Sequence, residues 1–406
     1  MDGEDKPYDR AVASSCYIKE ALRAFPRRKR PEQPNVQHPP CPSEQRRKQS
    51  LSEHPFDLDS DFSELETGRE TVLYLAYGSN LSTETFRGKR GIRPLAQVNV
   101  QVPTLKLTFD LPGVPYAEPC FANTARRDPE NDSPSRAAVA SSLTEKTPLL
   151  AAPPSGPHTT KEDYHKNRWH KDLVGVVYEV TLPDYAHIIA TEGGGSSYQD
   201  ILVDCFPLPT DPSLPVPPSP TTAPFKAHTL FSPAVPADQP APPGGGGRFQ
   251  RPDTSYAQPS ARYLKLITDG AAECALPDEY RAYLAQLRAY TPTSQQQRMG
   301  AFVFLGFWSP IVMFVFGLQG VFGDKKGRAP AWLVLLTGAI FRAVWASYDG
   351  FFKEIFGEGE RTVERSGGGD GNAGGGEGGM AARMMVWRKR KSGGAGMEQK
   401  EAVHAV

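Results

Sequence analysis

The chain has 406 residues, 46 basic against 46 acidic side chains, and 39 Pro with 38 Gly. Pro and Gly make up about a fifth of it, an excess without collagen-like period that marks low-complexity stretches around a smaller folded unit. The balanced charge removes the electrostatic ground for a nucleic-acid partner, which needs a concentrated positive surface. Five scattered cysteines (Cys16, Cys41, Cys120, Cys205, Cys274), with no Cys-x-x-Cys pair and no His at ligand spacing, support neither a disulfide framework nor a zinc site.

The segment Met1–Lys6 lacks the apolar stretch of a secretory signal, so a reducing compartment is expected and the sequon Asn80-Leu81-Ser82 should stay unmodified. Residues 1–68 are polar and charged and are expected to form a disordered tail. Its clusters Arg27-Arg28-Lys29-Arg30 and Arg46-Arg47-Lys48 are compatible with a nuclear signal or, with Ser50, a basophilic kinase site, but solvated disorder is the simpler reading.

A folded domain is expected over 69–292, interrupted by disordered inserts at about 125–163 and 207–258. The run Thr71–Tyr77 is continuously apolar and β-prone, which predicts a strand covered on both faces. It stops at Gly78-Ser79-Asn80, and a short helical stretch is expected around Thr83–Lys89, stopped by Gly91. Strands are predicted at Thr104–Phe109 and Leu173–Val180, and a helix starts at Leu182-Pro183-Asp184 and ends in Glu192-Gly193-Gly194-Gly195. A strand at Tyr198–Phe206, another at Tyr263–Ile267 and a helix from Pro277 to Tyr290 complete an α+β or small-barrel pattern.

From Met299 to Phe322, 24 residues carry no charge, enough at about 1.5 Å per residue to cross a bilayer core of about 30 Å, with a kink expected at Pro310. The second apolar segment, Ala331–Gly350, carries Arg342, which with Asp349 and Lys353 falls on one helical stripe. It fits either a second span with that stripe against the first helix or a helix lying in the interface, and a hairpin over 299–356 is the preferred reading. Basic residues flanking the pair outnumber those in its loop, which turns the flanks to the cytosol. Residues 357–406 read as a disordered Gly-rich tail whose cluster Arg388-Lys389-Arg390-Lys391 suits anionic lipid.

Two spots could carry chemistry. A glycine turn between a buried strand and a helix start can aim successive N–H groups at one point, which suits a carboxylate or developing oxyanion, although most such turns are only turns. Glu192, at the negative end of a helix, should have its carboxyl pKa raised toward neutrality, although a solvated helix-end glutamate is the commoner case.

The bend Tyr77-Gly78-Ser79-Asn80-Leu81 resembles the signature of the γ-glutamylcyclotransferase family. Phe121-Ala122-Asn123-Thr124, Val174-Gly175-Val176-Val177-Tyr178, Ile188 to Tyr198 with Glu192-Gly193, and Tyr263 to Tyr290 are similar to its later segments, in the same order, and the fungal branch is the nearest in pattern. The tails, inserts and membrane segments lie outside the resemblance. It implies a small mixed β-barrel that works without cofactor or metal. The implied reaction is attack of a γ-glutamyl α-amine on its own γ-carbonyl, giving 5-oxoproline and a released amine or amino acid.

By that resemblance Glu192 is the acid/base, and Gly78, Ser79, Asn80 and Leu81 hold the γ-glutamyl group, largely through backbone N–H. Tyr77 and Tyr198 serve as walls or donors, and His165, His170 and His187 are left as structural residues. The expected partners are a small γ-glutamyl substrate and a lipid membrane, with the enzyme facing the cytosol. A catalytically silent barrel in a membrane-anchored scaffold protein is the rival reading, and an enzyme acting on a γ-glutamyl-amine is a third.

Overall fold

The computed structural model describes residues 38–56, 71–127, 169–191, 198–232, 251–322 and 330–363. The chain divides into two compact units, Met1–His38 and Pro39–Val406, and the second carries every described element. The fold is α+β around a closed barrel. Its strands are β1 (Thr71–Ala76), β2 (Ala96–Val102), β5 (Leu173–Thr181), β6 (Gln199–Pro207) and β7 (Phe225–Phe231), in the order β1-β5-β2-β6-β7. All pairings are antiparallel except β7 with β1, where Tyr74 lies opposite His228. A separate two-stranded arm, β3 (Leu105–Val114) and β4 (Glu118–Arg126), accompanies the barrel.

β1 is buried on both sides, as its unbroken apolar run requires. Leu73 and Leu75 join Val100, Leu173, Val177, Val203 and Ala227 in a cluster drawn from strands alone, the filled interior of a small barrel. Val72, Tyr74 and Ala76 face the other way, into a core shared with α2 (Leu182–Thr191), α3 (Ala261–Glu273) and α4 (Asp278–Gln286).

Several sequence expectations are corrected. Tyr263–Ile267, read as a strand, lies in α3. Ser260 caps the helix by accepting from Tyr263 N–H (3.0 Å), and the buried set Tyr263, Leu264, Ile267 and Ala271 follows a period near 3.6. The helix expected from Pro277 to Tyr290 stops at Gln286, since Leu287 is extended. The short helical stretch expected around Thr83–Lys89 is present, as a π-helix over Glu84–Lys89. β7 lies within 207–258, where an insert was expected, because Phe225, Ala227 and Leu230 find their partners across the barrel.

Within the expected N-terminal tail, α1 (Glu44–Ser50) forms under the cap of Ser43. The segment clasps the barrel through a buried polar chain. Arg46 donates to Glu53 (2.9 Å) and to the Thr71 carbonyl (3.0 Å). Glu53 meets His228 Nε2 at 3.1 Å, and Asp200 meets His228 Nδ1 at 2.7 Å. Residues 1–37, 128–168 and 364–406, which include most of the N-terminal tail, most of the first insert and the basic C-terminal cluster, lie outside the described residues.

At the other end, α5 (Gln295–Phe322) contains Pro310 and pairs with α6 (Ala331–Ser347), Trp308 Nε1 donating to Ser347 Oγ at 3.0 Å. A π-type turn (Tyr348–Phe352) and α7 (Lys353–Phe356) follow. Among the described helices α5 alone is long and apolar enough to cross a membrane, and its segment Gln295–Leu318 is 17% buried. The charged residues after α6 pair with residues outside α5: Asp349 binds Arg251 (2.5 and 2.8 Å) and Lys353 lies 3.3 Å from Glu358.

Candidate active site

β1 ends at Ala76, and Gly78 leads into a 3-10 turn over Ser79–Leu81 that closes with Leu81 N–H to Gly78 C=O and Ser82 N–H to Ser79 C=O, both 3.1 Å. The turn is held from below. Leu81 is buried in the outer core, and Asn80 turns its side chain inward, Nδ2 donating to Tyr74 Oη at 2.8 Å. Thr83 N–H donates to Glu273 at 2.7 Å. Asn80 therefore helps fix the bend through its side-chain amide.

α3 presses on the bend from one side. A Cβ on Gly270 would lie 2.4 Å from Ser82 N and 2.5 Å from the Leu81 carbonyl carbon, an approach that only glycine permits. At Gly78 the neighbours are side chains: a Cβ there would stand 3.5 Å from both Ala122 Cβ and Tyr263 Oη. Tyr263 accepts from Ala122 N–H (3.2 Å) and packs edge-on against Phe121 at 5.0 Å. The segment Phe121-Ala122 of β4, the bend and the first turn of α3 thus converge, and Tyr263, read from the sequence as part of a strand, is a member of that set.

Tyr77 sits at the barrel rim, its hydroxyl donating to the Leu230 carbonyl at 3.2 Å. β7 runs parallel to β1 and antiparallel to β6, with Gln199 opposite Phe231. The start of β6 is therefore at the same rim as the bend, and Tyr198, half-buried against the outer core, stands next to it in sequence. Glu192 lies outside the described residues. Its flanks do not: α2 ends at Thr191, which accepts from Arg90, and Tyr185 of α2 donates to Asp200 of β6 at 2.5 Å.

Burial governs the titratable groups nearby. It pushes the Cys274 thiol up to about 11, with Glu273 adding to the rise, so this cysteine beside the bend is a neutral thiol at physiological pH. Tyr185 is held well above its ordinary value by burial and by the Asp200 carboxylate. His228 is raised, because the hydrogen bonds and charges of Asp200 and Glu53 outweigh the larger single effect, burial, which lowers it.

Residues 294–355 match the family model described as the AclK C-terminal domain. The chain is 30% identical over 290 residues to gamma-glutamyl cyclotransferase gliK of Aspergillus fumigatus, covering 71% of this chain and 89% of that one. It is 30% identical over 300 residues to gamma-glutamyl cyclotransferase aclK of Aspergillus oryzae, covering 71% and 90%. A solved structure titled gamma-glutamyl cyclotransferase aligns with 57% of this chain and 98% of its own at 16% identity and a TM-score of 0.32.

Proposed function

The chain belongs to the γ-glutamyl cyclotransferase family, and from that premise we propose that it cyclises a γ-glutamyl group to 5-oxoproline, releasing an amino acid or amine, with Glu192 as the proton carrier. The reaction is unimolecular in its bond-making step. The enzyme has to hold the chain curled, take a proton from the ammonium, stabilise the oxyanion and return a proton to the leaving nitrogen. One carboxylate suffices for both transfers.

The observation that carries the reading is the register at the barrel rim. Parallel pairing of β7 with β1 and antiparallel pairing of β6 with β7 bring the start of β6 beside the Tyr77–Leu81 bend. The six residues that begin with Glu192 link α2 to that rim. The opening N–H groups of the Ser79–Leu81 turn precede its own hydrogen bonds and suit the substrate's carboxylate or γ-carbonyl oxygen. Gly78 keeps the bend a methyl's width away from Tyr263, whose hydroxyl accepts from Ala122 N–H and stands at the edge of the bend. Tyr77 and Tyr198 border the same rim.

The apolar pair α5–α6 adds a membrane to this reading, with the barrel on the cytosolic side. Phe302 is 81% exposed, Met313 69% and Phe314 66%, a surface suited to lipid rather than water.

The full chain in detergent, supplied with glutathione or γ-glutamyl-alanine, should release 5-oxoproline. Glu192→Gln should lower kcat by about a hundredfold or more, the range for loss of a positioned acid/base. Equal release by wild type and Glu192→Gln, or none by either, would turn the reading toward a catalytically silent scaffold.

A further inference from the structure

The turn joining β3 to β4 holds Tyr116 at φ +65, a left-handed conformation that a bulky residue keeps only when its surroundings impose it. The C-terminal module, α5 to α7 with the residues 357–363 that follow, imposes it. Tyr116 N–H donates to Gly359 C=O (2.8 Å), and its hydroxyl donates to Gly357 C=O (2.7 Å). Its ring stands edge-on to Phe304 and Tyr348, and Trp345 Nε1 donates to Gly113 C=O at 3.1 Å. The fit leaves no room for more: a Cβ on Gly359 would lie 2.8 Å from the Tyr116 ring.

Two residues further on, Glu118 is buried at the start of α3. Its carboxylate accepts from Ser260 N–H (2.9 Å), from Ser260 Oγ (2.6 Å) and from Arg262 (3.1 Å). Ser260 Oγ in turn accepts from Tyr263 N–H. A carboxylate at a helix N-terminus also meets the positive end of the helix dipole. Four residues along the same strand, Ala122 N–H donates to the Tyr263 hydroxyl. β4 therefore grips Tyr263 at both its backbone and its tip.

We propose that Glu118 is a positioning residue for Tyr263, and that the C-terminal module, through its hold on Tyr116, keeps Glu118 and the site wall of β4 in register. The module is then a working part of the catalytic domain as well as an anchor. This rests on the reading of Tyr263 as a site residue, and the tests separate the two.

In the full chain, with glutathione and γ-glutamyl-alanine as substrates, Tyr263→Phe and Glu118→Ala should each lower kcat/KM by about tenfold or more. The double variant should lose no more than either single one, because both remove the same contribution. Glu118→Gln, which keeps an oxygen to accept from Ser260 N–H, should recover part of the loss, and it serves in place of Glu118→Ala should that chain not fold. Unchanged kinetics in Tyr263→Phe would remove Tyr263 from the site. An impaired Tyr263→Phe beside a fully active Glu118→Ala, or strictly additive losses, would overturn the positioning role alone.

Hydrogen exchange tests the coupling without turnover. Tyr116→Ala, and more mildly Tyr116→Phe, should speed exchange in peptides covering 118–126 and 260–266. Unchanged exchange there would overturn the coupling whether or not either substrate reacts.

Discussion

Gly270 makes the closest approach to the bend, and its consequence can be measured. An alanine Cβ there would meet Ser82 N at 2.4 Å and the Leu81 carbonyl carbon at 2.5 Å, backbone atoms that cannot rotate away. Gly270→Ala should destabilise the chain by about 1–3 kcal/mol, the usual range for overpacking, and thermal denaturation will show it as a lowered midpoint. Gly78 is the contrasting case, since its neighbours at 3.5 Å are in ordinary contact range. Gly78→Ala should fold with a nearly unchanged midpoint and lose turnover, because the added methyl occupies the space between bend and Tyr263. At this scale the bend itself was legible in the sequence, because a glycine directly after an unbroken apolar run marks the place where a buried strand has to turn. The inward turn of Asn80 was not, since its partner Tyr74 becomes a neighbour only once β1 and the turn are folded together.

Among the elements, α1 and its following residues depend on a buried ionic chain and so on pH. His228 is faced by Asp200 and Glu53, with Phe56 stacked on its ring at 4.5 Å. Arg46 and Tyr185 bind the far sides of those two carboxylates, and Glu179 lies 3.8 Å from Arg46. The folded-state pKa of His228 is raised above its ordinary 6.5. The stability it contributes is therefore complete below about 6.5 and is lost as pH rises through the folded value. Thermal midpoints between pH 6 and pH 9 should fall more steeply for the wild type than for His228→Gln, and parallel curves would remove His228 as the cause. Glu53→Ala should cost about 3–5 kcal/mol, the range for breaking one side of a buried pair. None of this was legible in residues 44–56, which are polar and short. They order because β7 and β6, about 150 residues away in sequence, supply the partners that local composition lacks.

At the scale of the whole molecule the 39–56 segment packs on the barrel through Thr71, Asp200 and His228, and the C-terminal helices meet the rest of the unit through Tyr116 of the arm and Arg251. On the proposed membrane reading, a bilayer would cover the exposed apolar face of α5. With vesicles of neutral phospholipid, the full chain should float with the lipid, and Phe307→Ser with Met313→Ser and Phe314→Ser should shift it to the soluble fraction. Equal flotation of both would remove this face as the anchor. By itself the sequence determined the features that rest on local repetition. These are the doubly buried β1, the glycine bend, the α2 segment, the long α5 with its uncharged run Met299–Phe322, and an ordered set of motifs specific enough to name a family. Only the tertiary structure decided the rest. β2 alternates polar Gln97, Asn99 and Gln101 with its apolar residues, β7 carries a His and a Thr that close the barrel, and the five residues Tyr263–Ile267 are too few to show the helical period of α3. Each is stabilised by contacts between residues far apart in the chain, and the segment's own sequence does not name those partners.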